Sequence, residues 1–417
     1  MNKIAFLFPG QGSQYIGMGK NYYDKFPIAK QTFEEANEAL GFDLKRLCFE
    51  GSMAELTRTE NTQPAILTAS VASFRVYMQR IGVMPQYMAG HSLGEISALC
   101  CSGAMEFADA VKIVRQRGKF MQEAVPEGYG GMAAISGIDK DIINEECRKI
   151  SRDGHIVVIS NYNSTEQTVI SGYARAVADA GEVLKEIGAR VVPLKVSAPF
   201  HSPLMQDAAE RFEKELMKYE MKDIVCPVIS NVTAEPYPGS GRIVEYLLRQ
   251  ITSPVRWQST IEYIQKEGVD TAIEMGPQAI LKNLMRKNTS LVTAYSFETE
   301  DDIRIIGKII SGNGTKDENT VESGMKIITQ CIRDAVCTKN RNWDNESYRK
   351  GVVEPYKKLV EMKERLLKLG VQPDAEQVKE SIELLKQIFN TKKIPADEQV
   401  ERLNLMLNET GRAMLQI

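Results

Sequence analysis

Histidine is almost missing from this chain. Only His91, His155 and His201 occur in 417 residues, so an imidazole base must be one of three. Seven cysteines are scattered without a CxxC pair. That odd, unpatterned count excludes a disulfide framework and reads as free thiols in a reducing cytosol. No metal site is expected. No apolar run reaches the length of a membrane span. The start, Met1 to Phe8, is basic and then apolar, but it stops at Pro9-Gly10 and is too short for a secretory leader. Charge of one sign is also lacking: 52 Lys and Arg against 55 Asp and Glu leave a net charge of -3. Bulk attraction to nucleic acid or anionic membrane is thereby excluded, and only a local basic patch stays open.

What is present is an ordinary globular composition, 43% apolar and 26% charged. The length exceeds what one hydrophobic core usually spans, so two or three domains are expected. Residues 1–127 alternate strand-like and helical stretches. Ile4–Phe8 and Tyr87–Ala89 read as strands. Gln63–Arg80 and Phe107–Val125 read as helices, the latter with Val111, Val114, Gly118, Met121 and Val125 on one face. Residues 128–197 follow a different order. Strands at Met132–Ser136, Ile156–Ser160, Gln167–Ser171 and Arg190–Val196 enclose helices at Asp139–Arg152 and Ala174–Ile187. This βαββαβ order is ferredoxin-like. Residues 198–310 resume the α/β pattern, with strands at Val228–Asn231 and Thr271–Met275. Ser311–Asp317 has linker composition.

Residues 318–417 give no convincing strand and read as a helical extension. Its apolar stripes are Met325/Ile328/Ile332/Val336, Leu359/Met362/Leu366/Leu369 (stopped by Gly370), Val378/Ile382/Leu385/Phe389 and Val400/Leu403/Leu407. Asp374 with Gln377 matches a capping box before the third. The stripes require each helix to bury a face. That suits either a stabilising appendage or a docking surface.

The sharpest local signal is Gly90-His91-Ser92-Leu93-Gly94-Glu95. It places G-x-S-x-G between a strand and a helix, where a serine is presented at a helix N-terminus and the Leu93 amide can donate to an oxyanion. A glycine-rich turn with a capping serine is the competing reading. The base is sought among three histidines. His91 would point away from Ser92, and His155 opens a strand as a surface or core residue. His201 lies between Pro199 and Pro203, which should hold the backbone extended and loop-like. With a serine elbow upstream, His201 is favoured. Phe8-Pro9-Gly10-Gln11-Gly12-Ser13-Gln14 lacks the spacing of a phosphate loop. It reads as a plain turn or as a loop whose Gln11 amide is a second oxyanion donor. Arg117 borders the apolar stripe. Its helix position favours a side chain that reaches solvent over a desolvated guanidinium holding a carboxylate.

Together these segments, with Gln116-Arg117-Gly118, Asn161-Tyr162-Asn163 and Ala198-Pro199-Phe200-His201-Ser202, resemble the malonyl-CoA:acyl carrier protein transacylases from the first residue to about residue 310. The resemblance implies an α/β-hydrolase-like large subdomain (1–127 and 198–310) with an inserted ferredoxin-like one (128–197). It implies Ser92 as acylated nucleophile, His201 as base, and the Gln11 and Leu93 amides as oxyanion hole. Arg117 would bind the malonyl carboxylate, and the Gln250 carbonyl would orient the histidine, giving a Ser-His dyad. Met121, Asn161 and Phe200 would line the acyl pocket, Phe200 bearing on extender choice. No cofactor is implied. CoA is a substrate carrier, and the acceptor is the phosphopantetheine thiol of an acyl carrier protein. A cytoplasmic monomer is expected.

The helical extension departs from the basic family and points to stand-alone acyltransferases serving polyketide synthase modules. Fatty-acid synthesis is the alternative setting. An acyl hydrolase clearing carrier proteins and a non-catalytic docking protein are the rival functions.

Overall fold

A computed structural model describes residues 3–194, 196, 198–310, 323–342, 344–369 and 371–410. The chain divides into two compact units, Met1–Phe74 with Pro85–Ile306 and Arg75–Met84 with Gly307–Ile417. Among the described residues the strands in chain order are β1 (Ile4–Phe8), β2 (Tyr87–Gly90), β3 (Gly130–Ser136), β4 (Val157–Ser164), β5 (Gln167–Tyr173), β6 (Arg190–Pro193), β7 (Val228–Ile229), β8 (Thr271–Glu274) and β9 (Thr293–Ser296).

The larger sheet is parallel, in the order β7-β2-β1-β8-β9. Its central strand, β1, reads Ile-Ala-Phe-Leu-Phe and is buried throughout. An unbroken apolar strand is what a parallel sheet covered on both faces requires. Pairing of Leu7 with Ala89 and Phe8 with Gly90 ends β1 and β2 at the same edge. The loop after β1 and the turn after β2 therefore emerge side by side, where sites form in parallel α/β sheets.

The smaller sheet is antiparallel, in the order β4-β5-β3-β6. Helices Lys140–Ile150 and Ala174–Glu186 bury Ile143, Cys147, Val177 and Leu184 with Ala133, Ile135 and Ile170. Strand and helix types match the sequence reading, and the ends shift. β4 continues through Asn161, Tyr162 and Asn163 to Ser164, past the expected end at Ser160. β6 ends at Pro193, and β7 has two residues. The helix expected from Gln63 starts at Thr59 and carries Pro64 inside. β9 was not anticipated, because four residues of Thr-Ala-Tyr-Ser carry little periodic signal.

In the second unit, helix Ser323–Cys337 packs on Glu354–Leu369, Ala375–Thr391 and Ala396–Thr410. Their shared core holds Ile328, Cys331, Leu359, Leu385 and Phe389. The capping box forms: Gln377 N–H donates to Asp374 Oδ1 at 2.8 Å, and Asp374 N–H to Gln377 Oε1 at 3.1 Å. Two stripe residues are exposed against expectation, Leu369 and Val400. In the last helix Met406 is the buried residue among the described side chains, against Cys331. The Ser311–Asp317 linker, Gly370 and the Leu407 side chain lie outside the described residues. No described helix is long and apolar enough to cross a membrane.

Gly94 and Gly307 offer a paired test. A Cβ on Gly94 would lie 1.9 Å from Phe8 O, whereas one on Gly307 meets nothing within 4 Å. Gly94→Ala should cost about 3 kcal/mol or more through forced backbone movement. Gly307→Ala, inside helix Glu300–Ile310, should be neutral or stabilising by about 0.5 kcal/mol. Urea denaturation of both variants checks the contrast.

Candidate active site

The turn after β2 explains why glycines flank the serine. A Cβ on Gly90 would fall 1.9 Å from the Gly94 carbonyl, and one on Gly10 would fall 2.4 Å from His91 O. Ser92 itself takes φ 53°, ψ -105°, a costly conformation for a non-glycine residue. Helix Leu93–Cys101 starts immediately after it. Leu93 N–H is thus one of the leading amides with no acceptor inside the helix, beside Ser92. The chain around His201 differs from the expected extended loop. His201 has φ 57°, whereas Ser202, directly before Pro203, is extended at φ -130°, ψ 164°. The turn is tied by Ser202 Oγ to Pro199 O at 2.7 Å.

That turn places His201 Nε2 2.7 Å from Ser92 Oγ and Nδ1 2.7 Å from Gln250 O. A carbonyl only accepts, so Nδ1 carries the proton and bare Nε2 accepts from the serine hydroxyl. Burial and the Arg117 charge push the His201 imidazolium down to about 3, opposed by the Gln250 carbonyl. The resting imidazole is therefore a neutral base at any physiological pH.

Arg117 overturns the expectation of a solvent-reaching side chain: it is only 1% exposed. Gly118 allows helix Phe107–Glu123 to approach the Thr59–Arg80 helix so closely that a Cβ would meet Thr59 O at 2.5 Å. The apolar edge is thereby sealed. Nη1 donates to Gln63 Oε1 at 2.9 Å, and Nη2 to Gln250 Oε1 at 2.8 Å and Ser92 Oγ at 3.2 Å. All three acceptors are neutral, and Nε is buried with no partner. Desolvation lowers the guanidinium to about 10, against the pull of Glu95, so it stays charged.

Beneath the pair lie residues the sequence reading did not select. Asn231 Oδ1 accepts the Ser92 N–H at 2.7 Å, and Asn231 Nδ2 donates to Gly90 O at 2.7 Å. Glu95 Oε2 accepts from Gln250 Nε2 at 2.5 Å and from Asn231 N–H at 3.1 Å, and Tyr237 bonds to Oε1. Burial raises Glu95 to about 7, opposed chiefly by Tyr237 and Gln250. Gln63 and Asn231 sit in unremarkable polar contexts, so only folding reveals them. The Glu95 position ends the elbow motif, and that was its available signal.

A cavity of about 460 Å³ opens on this cluster. Gln11, Ser92, Leu93, Arg117, Met121, Asn161, Phe200 and His201 all line it, and Gln250 stands behind His201. Asn161 belongs to β4, which bonds to the chain just past Gln250: Tyr162 N–H to Val255 O and Val255 N–H to Ser160 O, each 2.9 Å. The other histidines behave as expected. His91 Nε2 turns to Asn163 Oδ1 at 2.9 Å, and His155 pairs with Asp179 at 2.9 Å. Among the described residues no cluster of three or more His, Cys, Asp or Glu could hold a metal ion.

A half-buried hydroxyl on a strand-to-helix turn, bonded to a neutral imidazole oriented by a carbonyl, is the arrangement of a serine-nucleophile acyl-transfer site. Residues 5–327 match the acyl transferase domain model, and the chain belongs to the malonyl CoA-acyl carrier protein transacylase family. A Bacillus subtilis transacylase of that name is 41% identical over 403 residues, 97% of this chain and all of the relative. A second, from Bacillus subtilis strain 168, is 49% identical over 69% of this chain and 90% of its own length. Among solved structures, the Coxiella burnetii transacylase is 41% identical with a TM-score of 0.73, covering 75% of this chain and 98% of its own. A malonyl-transacylase in complex with its type II polyketide acyl carrier protein is 42% identical with a TM-score of 0.71, covering 73% and 98%.

Ser92 modification by a neutral sulfonyl fluoride reports the basicity of His201. The rate should hold within about twofold from pH 7.5 to 5.5, because the imidazole stays unprotonated. A histidine at its ordinary value near 6.5 would lose about tenfold by pH 5.5. Ser92→Ala should abolish labelling.

Proposed function

We propose that this chain transfers a malonyl group from malonyl-CoA to the phosphopantetheine thiol of an acyl carrier protein through a malonyl-Ser92 ester. The observation that carries the reading is Arg117. It is a buried cation beside the Ser92-His201 pair whose hydrogen bonds all go to neutral oxygens and whose Nε is unmet. Such a group strongly favours an acyl chain that ends in a carboxylate.

His201 Nε2 takes the Ser92 proton as Oγ attacks the thioester carbonyl. The tetrahedral oxyanion lies between the Leu93 and Gln11 amides. The C–S bond breaks, and the imidazolium returns its proton to the departing CoA sulfur. The carrier thiol then gives its proton to His201 and attacks the ester, and Ser92 recovers a proton as its C–O bond breaks. Each step uses the chain's own groups and the thioester, with no metal or redox cofactor. Met121, Asn161 and Phe200, each buried, shape the acyl pocket, and their burial limits access of water to the ester.

The larger sheet with its elbow supports an α/β-hydrolase-like subdomain. The β4-β5-β3-β6 order of a βαββαβ segment supports a ferredoxin-like one. For the setting we favour polyketide assembly, with the helices beyond residue 323 as the feature added to the catalytic region. Parallel kcat/KM values with polyketide and fatty-acid carrier proteins decide between the two.

Intact-mass analysis after mixing with malonyl-CoA should show a persistent adduct that Ser92→Ala lacks. Rapid loss of the adduct to water supports the hydrolase, and no adduct supports a docking protein. Arg117→Ala should lower malonyl acylation by ~10²-fold and shrink the malonyl-to-acetyl preference, since a buried cation rejects the neutral acyl group. Unaltered preference removes Arg117 from acyl recognition.

A further inference from the structure

We infer that Glu95 is a positioning residue for acyl-chain choice, acting by fixing the amide of Gln250 so that its oxygen faces Arg117. The inference rests on the proposed malonyl transfer and deepens it.

Gln250 has two jobs on opposite sides. Its backbone carbonyl accepts from His201 Nδ1 at 2.7 Å, and its side-chain Oε1 accepts from Arg117 Nη2 at 2.8 Å. A glutamine amide can turn over and exchange oxygen for nitrogen. Turned over, it would set an N–H against a guanidinium N–H, and Arg117 would keep Gln63 and Ser92 Oγ but lose the shorter of the two bonds that fix Nη2. The sense of the amide is therefore decided by what its nitrogen meets. Nε2 donates to Glu95 Oε2 at 2.5 Å, to Ser92 O at 3.0 Å and, at the long limit of 3.4 Å, to Asn231 Oδ1. The Ser92 and Asn231 oxygens are the weaker determinants, because they lie farther from Nε2 than the 2.5 Å of the carboxyl oxygen.

The role of Oε2 is independent of the protonation state of Glu95. Gln250 Nε2 and Asn231 N–H can only donate, so the oxygen they share only accepts. A proton on the carboxyl group would sit on Oε1, towards the Tyr237 hydroxyl, which donates or accepts equally well. Glu95, Gln250 and Arg117 are all enclosed, the first two with no exposed surface, so water does not replace a missing acceptor cheaply. Glu95 touches neither Ser92 Oγ nor His201 and is not a catalytic residue. Its action reaches the acyl group through Gln250 and Arg117.

A merely structural carboxylate would affect every acyl donor alike. A carboxylate that aims Arg117 affects the carboxylated donor selectively. The test is the ratio of single-turnover acylation rates with malonyl-CoA and acetyl-CoA, read by intact mass on the full chain, with thermal unfolding checked for each variant. Glu95→Ala should reduce the ratio at least tenfold. If that variant does not fold, Glu95→Asp, which withdraws the oxygens from Gln250 by one methylene, should reduce it at least threefold. Glu95→Gln can keep one oxygen towards Gln250 and Asn231 and turn its nitrogen to the Tyr237 oxygen, so it should hold the ratio within about threefold.

The inference is overturned if the folded Ala or Asp variant keeps the unaltered ratio. It is also overturned if Glu95→Gln loses the ratio as completely as Glu95→Ala, which would mean that charge and not the accepting oxygen matters. Absence of malonyl labelling in the unsubstituted protein would instead overturn the proposed function, so the two failures are separate readings.

Discussion

A positive charge enclosed without a permanent anion beside it sets the terms for the rest of this site. The Arg117 guanidinium costs free energy to desolvate, and the structure compensates with oxygen dipoles from Gln63, Gln250 and Ser92. Those dipoles come from separate stretches: one helix behind Arg117, one far along the chain, and the elbow. Each must be rigid for the others to serve. Burial, reinforced by the same charge, holds the neighbouring imidazole neutral.

Rigidity around Ser92 has a steric origin as well. Gly10, Gly90 and Gly94 let three backbone segments meet closer than any side chain permits. Asn231 bonds the turn from below, at both Ser92 N–H and Gly90 O. The strained serine backbone is maintained by contacts on every side, which is how such conformations persist at functional positions.

The sequence made the element order legible because periodicity is a local signal. The parallel and antiparallel halves, the helical extension and the capping box at Asp374 were all readable from short windows. The elbow was readable because Gly-x-Ser-x-Gly carries its own steric reason. What stayed hidden depends on contact between distant segments. Arg117 on a helix edge looked bound for solvent, because nothing local reveals that Gly118 brings a second helix against that edge. Gln63, Glu95 and Asn231 are ordinary polar residues until folding encloses them. His201 between two prolines suggested an extended chain, and the tertiary bond to Gln250 O instead accompanies a left-handed turn. The exposed Val400 and the buried Met406, which lies off the Val400/Leu403/Leu407 stripe, show the same limit: neighbours decide which face is buried.

The pairing of β4 with Val255 ties two properties to one piece of backbone. Asn161 faces the cavity from a strand whose next residue bonds Val255 O, and Val255 lies five positions after Gln250, whose carbonyl steers the imidazole. A shift of that strand is therefore passed through two backbone hydrogen bonds to the 250–255 segment, the same stretch that anchors the imidazole.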